Sequence, residues 1–147
     1  MRLIFALLSV GLWFTPADWH YNMDEAKQLA QQKHKHILLN FSGSDWCGPC
    51  IRMHKEIFDN DAFRGFADSS LILVNADFPR MKKNQLPAKQ QALNNAMADQ
   101  YNAQGKFPYT VLLDAEGKVL QAWDGFPNMK PEEFAQAIQS IIDADRP

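Results

Sequence analysis

Two thiols, Cys47 and Cys50, stand three positions apart in the run Trp46-Cys47-Gly48-Pro49-Cys50 and are the residues best equipped for chemistry. A thiol attacks only as its thiolate, and a free cysteine ionises near pH 8.5, at about its ordinary pKa. The preceding segment, His36-Ile37-Leu38-Leu39-Asn40-Phe41, reads as a buried strand because its apolar residues are nearly continuous. A turn-like stretch, Ser42 to Asp45, follows it, and beyond the thiols Ile51, Met53, His54, Ile57 and Phe58 suggest a helix. Cys47 is thereby placed where a strand ends and a helix begins, against unpaired N–H groups and the positive end of the helix dipole. Both favour the anion. Gly48 permits a tight turn, and Pro49, lacking an N–H, fits the first helical turn. Cys50 lies one turn in, close enough to close a small disulfide ring. Such a dithiol can attack a disulfide and then release itself through its second sulfur.

Other uses of two cysteines fit less well. A purely structural disulfide over so short a separation closes little chain and has small entropic value. Zinc would need further ligands, and His34 and His36 are the only nearby pair. They suit a surface helix end equally well. Covalent c-type haem requires a His after the second Cys, where this chain has Ile51. No metal site and no cofactor is expected.

With 147 residues the chain suits one domain. Lys+Arg 15 against Asp+Glu 17 gives a formal charge of -2, so no polybasic footprint for nucleic acid is present. Met1-Arg2, the apolar run Leu3 to Phe14 and Thr15-Pro16-Ala17 match a secretory signal peptide over residues 1–17. The run is short for a bilayer span, which needs about 20 apolar residues. Cleavage after Ala17 would leave 147 − 17 = 130 residues, the domain at 18–147. The expected location is periplasmic or secreted.

The elements that position the dithiol follow from periodicity and turn chemistry. Asn22 to Lys35 reads as a helix with Asn22 as N-cap and an apolar stripe of Met23, Ala26, Leu29 and Ala30. Ala62 to Asp68 reads as a short helical piece turning Phe63 and Phe66 inward. Leu71 to Val74 is a buried strand, followed by a basic, Pro-bounded loop, Phe78 to Pro87, and a helix over Ala88–Asn102. Tyr109–Leu113 and Lys118–Trp123 form a hairpin across Asp114-Ala115-Glu116-Gly117. Pro131-Glu132-Glu133 opens a last helix with Phe134, Ile138, Ile141 and Ile142 on one face. The pattern is one α/β domain.

Leu38-Leu39-Asn40-Phe41 leading into Trp46-Cys47-Gly48-Pro49-Cys50 resembles the active site of the thioredoxin-like family. Phe107-Pro108-Tyr109-Thr110 resembles that family's second landmark, a cis-proline facing the dithiol, and the likeness runs from about Trp19 to Ala144. The phrase Asn40 to Cys47 is most similar to exported bacterial members. The resemblance implies a central mixed β-sheet flanked by helices, with an extra loop-helix insertion before the cis-Pro strand. It implies that Cys47 is the attacking thiolate, Cys50 the buried resolving thiol, and Cys47-Cys50 a redox-active disulfide across the Gly48-Pro49 turn. Trp46 would be an apolar platform, with Phe107, Pro108 and Gly125 near the path of an extended substrate. The implied partners are protein disulfides, with a membrane reductant transporter as electron donor to a monomeric protein.

Departures from the family pattern carry their own expectations. The strand position usually held by a buried Asp is Asn40, which cannot act as a base, and its partner Lys is replaced by Leu73. Water, His54 or Glu56 could move the proton instead, although helix-face packing or exposure is the expectation for both side chains. Thirty residues separate Asp77 from Pro108, and the basic loop within them is expected to be a solvated one; the alternative is that Arg80, Lys82 and Lys83 meet an acidic surface. The Gly-Pro dipeptide resembles reducing members more than oxidising ones. The expected activity is therefore protein-disulfide reduction, with oxidase or isomerase action, or a redox-inert peptide-binding module, as alternatives.

Overall fold

A computed structural model describes residues 18–146, so the expected leader at residues 1–17 lies outside the described residues. Five strands form one mixed sheet in the order β1-β3-β2-β4-β5. They are β1 (Trp19–His20), β2 (His36–Ser42), β3 (Leu71–Asp77), β4 (Tyr109–Leu113) and β5 (Val119–Asp124). The first three are mutually parallel, while β4 runs antiparallel to β2 and to β5. Both central strands are buried on both faces, as their unbroken apolar runs require.

Helix α1 (Met23–Lys33) starts where Asn22 Oδ1 accepts the Asp24 N–H at 2.9 Å and stops at His34, whose φ of 53° turns the chain out. Helix α2 (Gly48–Arg52) runs directly into a π-helical turn, Met53–Phe58. Helix α3 (Asp61–Ser70) is capped by Asn60, α4 spans Ala88–Tyr101, and α5 spans Pro131–Asp145. Among the described residues, no helix is long and apolar enough to cross a membrane.

Alternation along the strands sends side chains to two cores. On one face Leu38, Leu73 and Leu112 pack with Met53, Ile57 and Phe58, with Phe63 of α3, and with Phe134 and Ile138 of α5. On the other, Ile37, Leu39, Phe41 and Val111 pack with Met23, Ala26 and Ala30 of α1 and Met97 of α4. Burying such side chains contributes roughly 1.5–3 kcal/mol each, which holds both helical layers on the sheet. The hairpin turn forms as its sequence requires: Asp114 accepts the Glu116 and Lys118 N–H groups, and Gly117 takes φ 92°.

Candidate active site

The β2–α2 junction is built by short-range contacts. The Gly43 carbonyl accepts the Trp46 and Cys47 N–H groups at 3.2 and 2.9 Å, folding Ser42–Asp45 into a tight turn. A Cβ on Gly43 would come within 2.4 Å of the Trp46 ring, so only glycine lets the indole lie across the turn. Cys47 is the N-cap of α2, and its Sγ accepts the Cys50 N–H at 3.3 Å. Cys47 and Cys50 are joined in a disulfide, with their Cα atoms 5.2 Å apart. Cys50 is fully buried, whereas Cys47 keeps 5% exposure. Of the two sulfurs, Cys47 is the one a partner can reach.

Around the disulfide the structure assembles residues from distant segments. The Phe107–Pro108 peptide is cis. The Phe107 ring meets the Trp46 edge at 5.4 Å and the Phe78 ring at 5.6 Å, bringing the Pro108 segment beside the dithiol turn. Gly125, at φ 83°, donates its N–H to the Pro108 carbonyl at 2.9 Å, so the end of β5 braces that segment. Trp46 Nε1 donates to the Phe78 carbonyl at 2.8 Å. Gly48 and Pro49 are exposed at the start of α2. His34 ends α1 and His36 bonds Asp145 at 2.9 Å, each serving the fold away from the thiols. Among the described residues, no group of three or more His, Cys, Asp or Glu side chains is arranged to hold a metal ion.

Beneath the turn lies a buried polar cluster. Asn40 is fully buried; its amide nitrogen lies 3.2 Å from Asn75 Oδ1 and 3.3 Å from His54 Nε2, and its oxygen accepts the Thr110 hydroxyl at 3.2 Å. Asn40 and Asn75 are cross-strand partners in register, and Leu73, two residues earlier, faces the same apolar core as Leu38. The residue across from Asn40 is therefore Asn75 and not Leu73, and the strand pair carries a neutral amide pair at this level. His54 packs between Trp19 and Phe58, at 5.3 and 5.2 Å. Glu56, by contrast, is exposed and paired with Arg52 at 3.1 Å, whose hydrogen bonds hold its carboxyl below the usual range. Of the two acid–base candidates on this segment, the structure turns His54 inward and Glu56 out.

Burial pushes the His54 imidazole below its ordinary value, and the Asp59 and Asp77 charges oppose that shift. An imidazole kept neutral by folding binds fewer protons than in the unfolded chain. Its contribution is complete above the unfolded pKa of about 6.5 and is lost as pH falls toward the lower folded value. Between about pH 7 and pH 5.5, the urea midpoint of the wild type should therefore fall more than that of His54→Gln. Identical pH dependence in the two proteins would contradict this role.

The residue preceding Trp46 was not legible as part of the site. Asp45 accepts the backbone N–H groups of Arg80 and Met81, both at 2.9 Å, and the Asn84 side-chain amide at 3.0 Å. These donors, the Arg80 N–H foremost, hold the Asp45 carboxyl below its ordinary value. The Arg80 guanidinium lies over the Trp46 ring, 3.6 Å from its centroid. The basic loop is thus fastened to the dithiol turn.

A disulfide closed at the start of a helix is suited to reversible exchange with other disulfides, and the sheet that carries it has thioredoxin-fold neighbours. The chain belongs to the thioredoxin-like family, whose domain model matches residues 23–142. It is 44% identical over 118 residues to the disulfide bond reductase DsbH of Chlamydia pneumoniae, covering 80% of this chain and 69% of that protein. A solved structure of a DsbH oxidoreductase superposes with a TM-score of 0.78 at 36% identity, over 88% of this chain and 86% of that one. A thioredoxin from Thermus thermophilus shares the fold at 16% identity, with a TM-score of 0.63 over 87% of this chain and 88% of that one. The protein is a thiol–disulfide oxidoreductase.

Proposed function

We propose that the protein reduces protein disulfides in an extracytoplasmic compartment. The observation that carries this reading is the asymmetry of the dithiol: Cys47 is reachable and receives an N–H, while Cys50 is sealed behind it. In the reduced protein the Cys47 thiolate attacks a substrate disulfide. A bond forms between Cys47 and one substrate sulfur, and the other leaves as a thiolate and takes up a proton. Cys50, once deprotonated, attacks the Cys47 sulfur, expels the second substrate thiol and closes the Cys47–Cys50 disulfide. Two electrons have passed to the substrate, and a donor dithiol must return them. A membrane reductant transporter is the donor we assign to that step.

Trp46 and Phe107 supply an aromatic wall beside Cys47, and the main chain next to cis-Pro108 offers an edge for an extended substrate segment. Gly125 fixes that edge through its bond to the Pro108 carbonyl, and Gly48-Pro49 sets the turn that exposes Cys47. The reducing direction is supported by the Gly-Pro dipeptide and by the likeness to a protein named disulfide bond reductase. The apolar run before Ala17 supports export. Insulin precipitation in the presence of dithiothreitol tests the reading: catalysed loss of the interchain disulfides is expected. A rate no faster than dithiothreitol alone would overturn the reductase reading.

A further inference from the structure

We propose that the loop after β3 is a fixed specificity arm, in which Arg80, Lys82 and Lys83 select substrate disulfides flanked by acidic residues. The proposal rests on the disulfide-exchange reading above and names the class of substrate that the same site prefers. A solvated loop would need no attachment, yet this one is tied down at three points. The Asp45 carboxylate takes two consecutive backbone N–H groups and the Asn84 amide, an arrangement of charge-assisted bonds that fixes both position and orientation. The Phe78 carbonyl holds the Trp46 indole, and the Arg80 guanidinium stacks on that ring. These ties lead to Asp45 and Trp46, the two residues before the reachable sulfur, while the Phe78 N–H donates to the Ser42 carbonyl at 2.9 Å.

The fastening also determines the charge the arm presents. Asp45 spends its oxygens on two backbone N–H groups and the Asn84 amide of the loop itself. Among the described residues, no ion pair joins Arg80, Lys82 or Lys83 to a carboxylate. Arg52 and Lys106, on neighbouring elements, are each matched, by Glu56 and Asp124. Arg80, Lys82 and Lys83 are exposed, with the half-exposed Met81 between them, in a chain whose net charge is -2. The cationic rim is a local feature rather than a consequence of composition.

A substrate segment lying across Cys47 and Trp46 passes under the stacked guanidinium. An aspartate or glutamate there meets a planar donor fork already held in place, so little conformational freedom is lost on pairing. The two lysines add attraction at longer range and speed encounter with acidic segments.

Two disulfide-bridged peptides, identical except for acidic or neutral residues beside the cysteines, test the arm. For the full chain at low ionic strength, kcat/KM for the acidic peptide should exceed that for the neutral one by about tenfold, and salt should shrink the ratio. Arg80→Gln combined with Lys82→Gln and Lys83→Gln should bring the ratio to about one. Asp45→Ala is more discriminating. It deletes a negative charge beside the rim, so electrostatics alone would raise the ratio, whereas loss of the clamp lowers it. A wild-type ratio near one, a triple variant that keeps the preference, or an Asp45→Ala ratio that holds or rises would each overturn the proposal. The ratio is read in reduction of the peptides and in oxidation of their dithiol forms. Turnover only in oxidation would overturn the reductase reading while the ratio still decides the arm; turnover in neither direction overturns both.

Discussion

Cys47→Ser is expected to lower the rate of disulfide exchange at least about a thousandfold, because serine supplies no thiolate at neutral pH and removing a nucleophile costs at least this much. Cys50 cannot stand in for it: its side chain is fully buried, behind Cys47 in the first turn of α2. Cys50→Ser should fail differently. Cys47 remains reachable and still attacks, but no second sulfur expels the substrate, so a covalent mixed disulfide accumulates. Non-reducing electrophoresis and intact-mass measurement distinguish the two variants. Adduct on Cys50→Ser and none on Cys47→Ser is the predicted pattern. Adduct on Cys47→Ser and none on Cys50→Ser would reverse the assigned order of attack.

Phe63→Ala is the substitution with the largest expected cost in stability. Phe63 is fully buried in α3 and touches Phe58 at 5.4 Å, Phe66 at 6.2 Å and Phe134 of α5 at 5.9 Å between ring centroids. Phe134 in turn meets Trp123 of β5 at 5.1 Å. Removing the ring leaves a cavity at the junction of α3, α5 and the π-helical turn below the dithiol. A Phe→Ala change in such a core costs about 3–5 kcal/mol. That is a large part of the 5–15 kcal/mol or so that a domain of this kind possesses. Urea unfolding should show a lower midpoint with an unchanged slope. A loss below about 1 kcal/mol would mean that the aromatic cluster does not hold this layer together.

The parts of the fold that local sequence dictates are legible in the chain itself. The buried strand His36–Ser42 declares itself by an unbroken apolar run, and α1 by its Asn22 cap and apolar stripe. The β4–β5 hairpin is announced by Asp114 and Gly117. Trp46 to Cys50 carries the site because its chemistry is set by neighbours in sequence. Other features depend on partners far along the chain. Strand β1 has only two residues, too few for any period, and exists through its register with Leu73 and Val74. The π-helical turn at Met53–Phe58 is too short for its spacing to differ readably from an α-helix. His54 reads as a helix-face residue until β2 and β3 place Asn40 and Asn75 beside it. Asp45 looks like any polar turn residue, since its partners lie 35 or more positions away. The loop after β3 is exposed, as a solvated loop is, but its attachment to Asp45 is unreadable for that same reason.

The reduction potential of the Cys47–Cys50 couple, measured by equilibration with glutathione redox buffers, tests the assigned direction most directly. A reductase of this design should lie near the thioredoxin value of about −270 mV, so that its dithiol gives electrons to most substrate disulfides. A potential near the about −120 mV of a strong oxidant would contradict it, because the disulfide rather than the dithiol would then be the reactive form.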